Sequence, residues 1–207
     1  PSGVSRQLGS SASYKAVVAL TGLALIGFVV ANMLGNLQIF AGPDALNAYA
    51  KKLKDLGALL WVARIGLIVA FVIHIAATIR LSIKNRQAGG ERYAARRYGA
   101  SSAASRTMIW TGLFVLFFVG FHLAHFTFGW VQPHAYEITD AEGRHDVHSM
   151  VVAGFENWLI AGFYVVALVM LAMHLSHATF SLLRTLGGRV GNEATWVRRA
   201  AFVLTVV

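Results

Sequence analysis

Among the histidines inside apolar stretches of this 207-residue chain are His74, His122, His125 and His174. An ionisable side chain within a membrane span is costly and rare, so each is a functional candidate. Imidazole is also a common axial ligand of haem iron. Two imidazoles from different helices can take one iron from opposite faces if they share a depth. That depth is set by the elements that carry them.

The chain is 57% hydrophobic and 13% charged, with mean hydropathy +0.59. This composition belongs to a polytopic membrane protein and argues against a soluble bundle. Five apolar segments are expected, near residues 16–37, 58–79, 107–128, 158–183 and 196–207. The first four reach the roughly 20 residues needed to cross a bilayer; the fifth is still apolar at Val207 and covers about half a span. The runs are continuous rather than alternating, so the expected fold class is an all-α membrane protein, a five-helix transmembrane bundle forming a single domain over residues 1–207. The first dozen residues are small and polar, and the first apolar run is too long for a cleavable signal peptide. Gly42-Pro43-Asp44 reads as a turn, with Asp44 capping a short amphipathic segment, Ala45 to Leu53, along the interface. No tandem repeat stands out.

Net charge is +9, but the cations cluster between spans, which points to membrane topology rather than nucleic acid. Arg6 and Lys15 precede the first span. Arg80, Lys84, Arg86, Arg92, Arg96, Arg97 and Arg106 follow the second, and Arg184, Arg189, Arg198 and Arg199 follow the fourth. The opposite loops carry Lys51, Lys52 and Lys54, and then only Arg144. The bias places the N-terminus and the basic loops in the cytoplasm. Cysteine is absent, which excludes disulfides and any cluster held by this chain's own thiolates.

With a rise of about 1.5 Å per residue, His74 lies about 24 Å along the inward-running second span, and His174 about 24 Å along the inward-running fourth. They share a depth near the cytoplasmic face and form a candidate bis-histidine haem site. His122 lies about 22 Å along the outward-running third span, near the outer face, with His125 nearly one turn beyond. The residue at the matching depth of the first span is Asn32, a poor haem ligand. The neighbouring Met33 points roughly 100° around the helix. The outer level is half of a pair.

Several stretches carry a family resemblance: ALTGLALIGFVVANMLGNLQIFAGPDALNAYA, WVARIGLIVAFVIHIAATIRL, SRTMIWTGLFVLFFVGFHLAHFTFG and MHLSHATFSLLRTLG. In their order and spacing the chain resembles the five-helix cytochrome b membrane anchor of succinate dehydrogenases and quinol:fumarate reductases, from about Ser13 onward. The resemblance implies a haem b near the cytoplasmic side, ligated by His74 and His174. It implies a second near the outer side, on His122 and the position of Asn32, where the family commonly has histidine. His125 and His177, each three residues beyond a ligand candidate, either replace that neighbour as ligand or donate a hydrogen bond to a carbonyl or propionate; the resemblance favours His122 and His174 as the ligands. The resemblance also implies a quinone, menaquinone, in a bacterial inner membrane. Its expected partners are an FAD flavoprotein and an iron–sulfur protein on the cytoplasmic face, in a complex open to homo-oligomerisation. Electrons would pass between the partner's clusters and quinone through haem b, and succinate chemistry would lie outside this chain.

Other polar residues serve as candidates too. Arg80, Ser105 and Arg106 sit at cytoplasmic span ends, where they can pair with propionates or simply anchor the helices. Arg64 and Glu156, near outer ends, suit a quinone pocket or proton route. Trp61, Trp130 and Trp158 fit an interfacial belt. His134, His145 and His148 lie among acidic residues, but their spacing matches no strong zinc pattern and reads as solvated loop. Two alternatives to the cytochrome remain: a transporter or channel using histidines as proton relays, and a quinone-binding anchor that has lost haem.

Overall fold

The computed structural model describes residues 11–88 and 103–185. Among them, secondary structure is helical apart from one isolated bridge between Thr139 and His145. Helix α1 spans Ser11–Asn36 and runs into a 3-10 turn, Leu37–Ala41. Helices α2 (Pro43–Asp55) and α3 (Ala58–Ala88) follow, then α4 (Ala103–His122), which continues as a π turn over Leu123–Thr127. A single turn, α5 (Pro133–Tyr136), and the short α6 (Val147–Glu156) lead to α7 (Trp158–Thr185).

Four segments are long and apolar enough to cross a membrane: Ala12–Ala41, Ala58–Asn85, Thr107–Thr127 and Trp158–Thr179. They match the first four expected spans. The fifth, near residues 196–207, lies outside the described residues, as do the basic loops at 89–102 and 186–199.

The long helices form two packed pairs, α1 with α3 and α4 with α7, joined by contacts between α1 and α7. Ala19, Ala77, Ala167 and Ala172 are buried where helices meet, while Leu20, Ile68, Val72, Phe117 and Val165 face outward. Helices in lipid associate by close packing of small residues, since a large apolar side chain gains nothing by leaving the bilayer. Facing α4 and α7, Phe163 meets Phe117 and Phe121 edge-on, at 6.1 and 4.9 Å between ring centroids.

One end of the bundle carries a polar cap built from α2, α6 and the loop between α5 and α6. Asn47 of α2 is 2% exposed. Its amide donates to Asp146 at 2.9 Å and Asp140 at 3.3 Å, and its oxygen accepts from the His148 amide at 3.0 Å. Arg144 reaches Asp140 (2.6 Å), Asp44 (2.8 Å) and Glu142 (3.1 Å). Asp146 caps α6 by accepting from the Ser149 amide at 3.0 Å. Asp44 departs from its expected role. The helix starts at Pro43 with Gly42 as cap residue (φ 103°), so Asp44 sits inside the first turn, where it pairs with Arg144. Proline suits a first helical position, where its fixed φ matches the helix and its missing N–H has no partner to lose.

Candidate functional site

His74 and His174 sit at equivalent positions of α3 and α7, each 16 residues past the helix start, towards the end of the bundle opposite the cap. Each ring lies against the partner helix of its own pair. His74 Nδ1 is 3.1 Å from Thr21 Oγ1 of α1, and His174 Nδ1 is 3.3 Å from Thr111 Oγ1 of α4. The next residue in each case is glycine. A Cβ on Gly22 would meet His74 Cε1 at 3.3 Å, and one on Gly112 would meet His174 Cε1 at 3.2 Å. Glycine therefore lets each imidazole rest on the helix backbone.

The hydrogen bonds are compatible with one tautomer in particular. A threonine hydroxyl has one proton. Thr21 spends it on the Val17 carbonyl at 2.7 Å, and Thr111 spends it on the Met108 carbonyl at 3.0 Å. With the proton placed there, each oxygen accepts, and the matching tautomer carries its hydrogen on Nδ1 of His74 and of His174. A neutral imidazole has one N–H, which leaves Nε2 with its lone pair. Metal-binding histidines are oriented in this way, with the distal N–H held by an oxygen.

At the cap end, His122 closes α4 and His125 lies in the π turn. His125 is 3% exposed and stacks on Phe126 at 3.9 Å between centroids. Both its nitrogens are engaged: Nδ1 with the Tyr164 hydroxyl at 3.1 Å, and Nε2 with Gln132 Oε1 at 2.8 Å. His122 has one such contact, from Nδ1 to the Tyr164 hydroxyl at 3.4 Å. Among the described residues, His125 is thus committed to the protein while His122 keeps one nitrogen available.

Asn32 lies on exposed surface of α1, its carboxamide oxygen accepting from Asn36 at 3.2 Å. Met33 is half-buried. His177 is half-buried beyond His174 and has a partner of its own. Arg80 is exposed on α3. Ser105 and Arg106 fall in the first turn of α4, and their side chains lie outside the described residues. Arg64 places its guanidinium 5.2 Å from the Trp61 ring centre, and Glu156 is an exposed residue closing α6. His145 and His148 belong to the cap, and among the described residues no three potential ligands gather into a metal site.

Sequence reading picked out the imidazoles but missed what holds them: Thr21, Thr111, Gly22, Gly112, Tyr164 and Gln132. One signal was visible. Thr21-Gly22-Leu23 recurs as Thr111-Gly112-Leu113, and Asn32 and His122 each lie 11 residues past the threonine. The second helix of each pair corresponds likewise, with Arg64 and Tyr164 each ten residues before a histidine. The chain thus contains two similar helix pairs, although no long repeat connects them.

No protein-family model, curated protein or solved structure matches this chain. The helices define a membrane-spanning protein, with imidazoles placed between paired helices.

Proposed function

We propose that this chain is the cytochrome b membrane anchor of a succinate:quinone oxidoreductase, with one haem b held by His74 and His174. The carrying observation is the pair of matched histidines with Nδ1 anchored on a threonine and Nε2 open. The donor set suits haem: two neutral imidazoles at one depth, oriented by hydroxyls and given room by glycine. Bound haem supplies a one-electron redox centre between a partner's iron–sulfur clusters and membrane quinone. The chain's own residues orient the ligands and exclude water from them.

The outer level does not fit a second bis-histidine haem. His122 offers a nitrogen, but Asn32 stands where its partner belongs, and a carboxamide is no substitute for imidazole. The end of the bundle holding Lys84 and Arg80 is the cytoplasmic one in this reading, as the loop arginines require. Basic loops there suit an acidic docking surface on a flavoprotein and iron–sulfur pair. The polar cap then lies outside, in a bacterial inner membrane.

The test is haem content. The complex purified with its partners should show a b-type reduced-minus-oxidised band that disappears in His74→Ala and in His174→Ala. Unchanged haem in both variants overturns the assignment. A transporter using histidine relays would show no such band at all.

A further inference from the structure

The polar groups at the cap end of α4 form a connected series running from a loop to His122, and its direction can be read. The Gln132 carboxamide oxygen has no proton, so His125 Nε2 must donate across the 2.8 Å contact. His125 has no carboxylate among its hydrogen-bond partners, and a neutral ring carries one N–H, here on Nε2. Its Nδ1 therefore accepts, and the donor is the Tyr164 hydroxyl at 3.1 Å. The phenol has then spent its one proton. Its oxygen accepts at the 3.4 Å contact with His122, so His122 Nδ1 carries the hydrogen and Nε2 the lone pair.

We infer that Gln132, His125 and Tyr164 form a hydrogen-bond chain that sets the tautomer of His122, with Tyr164 the positioning residue that holds Nε2 available to an electron-pair acceptor. Such an acceptor is a metal centre or an acidic O–H group. The inference goes beyond the haem reading and stands apart from the inner level.

Three features of the fold support the chain. The π turn closes with Phe128 donating to the Leu123 carbonyl at 2.9 Å, and Trp130 donates to the Ala124 carbonyl at 2.8 Å. Inserted turns of this kind cost regularity and occur mostly at functional sites. Gly154 of α6 makes room, since a Cβ there would stand 3.2 Å from His125 Nε2. The outcome also repeats the inner level by different chemistry. At His74 and His174 a threonine whose proton is spent on backbone fixes Nδ1–H. At His122 a tyrosine whose proton is spent on His125 does the same.

The direction depends on the far end. A group at position 132 that only donates reverses every link. The experiment is solid-state 15N NMR on the full chain, purified with its partners, labelled at histidine and reconstituted in lipid. The His122 signals are identified by their loss in His122→Gln. The expected result is Nδ1–H for His122 in the unaltered protein. A shift to Nε2–H is expected in Tyr164→Phe and in Gln132→Lys. Nε2–H in the unaltered protein, or an unchanged tautomer in Tyr164→Phe, overturns the inference. Haem content of the same samples reports the inner level separately. Its retention in Tyr164→Phe shows that the variant is folded, and its absence from every sample would count against the proposed function while leaving the tautomer result intact.

Discussion

A hydroxyl that has already given its proton away can only accept, and this constraint organises the histidines of the inner level. Thr21 and Thr111 each bond a backbone carbonyl on their own helix and receive the imidazole of the next. Valine has nearly the same shape without the oxygen. Thr21→Val and Thr111→Val should therefore leave the helices packed but release the ring orientation. Loss of such an outer-shell partner typically costs about 10–100-fold in metal affinity. Haem transfer to an apoprotein acceptor should be correspondingly faster in either variant, and an unchanged rate would show that the hydroxyls do not hold the ligands. The same accounting separates His122 from His125. Residue type alone made them near-equals, and only the second ring nitrogen, taken up by Gln132 in His125, tells them apart.

At the scale of elements, glycines decide how closely an imidazole approaches a helix. Gly22 and Gly27 lie on the same helix, yet a Cβ at Gly22 would press on His74 while one at Gly27 would meet nothing within 4 Å. Gly22→Ala should displace the ring and reduce bound haem. Gly27→Ala should leave haem unchanged, and helix propensity favours it by up to about 1 kcal/mol. Equal haem in both variants, measured per protein by the b-type band, would remove the close-approach argument. Gly112→Ala should behave like Gly22→Ala, because its contact with His174 is tighter, at 3.2 Å. Four spans were legible in the sequence because continuous apolar runs and bilayer thickness constrain length strongly. The depths of His74 and His174 followed from helical rise. The π turn was not legible, since Leu123 to Thr127 looks like ordinary helix until the chain turns at Gly129 (φ 68°). The cap was hidden for a similar reason. Asn47 lies far in sequence from Asp140 and Asp146, and an interfacial segment and an acidic loop give no sign that they meet.

Across the whole molecule, the polar cap ties the connection within the first helix pair to the connection within the second. Asn47→Ala would remove three hydrogen bonds from a buried site, two of them to carboxylates, and bonds to charged groups contribute about 1.5–3 kcal/mol each. A lower melting temperature is expected, with haem content unchanged. The cap should also loosen in acid. Desolvation raises the Asp140 carboxyl, but the Arg144 side chain outweighs it and holds the group below its ordinary 3.8. Asp146 is lowered too, where the Ser149 amide and Asn47 overcome desolvation. Desolvation, then the nearby charge of Lys54, brings His145 below 6.5. All three groups bind protons less readily in the folded chain than in the unfolded one, so each contribution is complete above the ordinary pKa and lost as pH falls through the native value. Hydrogen exchange across residues 44–55 and 137–150, taken relative to its intrinsic rate at each pH, should quicken first below about pH 6.5, as His145 is forced to charge, and again below about pH 3.8. Exchange that is flat through both windows would contradict this account of the cap. The central claim is that the inner level binds one haem between the two helix pairs. The most direct measurement is the pyridine haemochrome content of the purified complex, as haem per chain, alongside its reduced-minus-oxidised spectrum. The account predicts a b-type haem that is lost in His74→Ala and in His174→Ala and retained in His125→Ala. No haem in the unaltered complex, or haem that survives both inner-level substitutions, would contradict it.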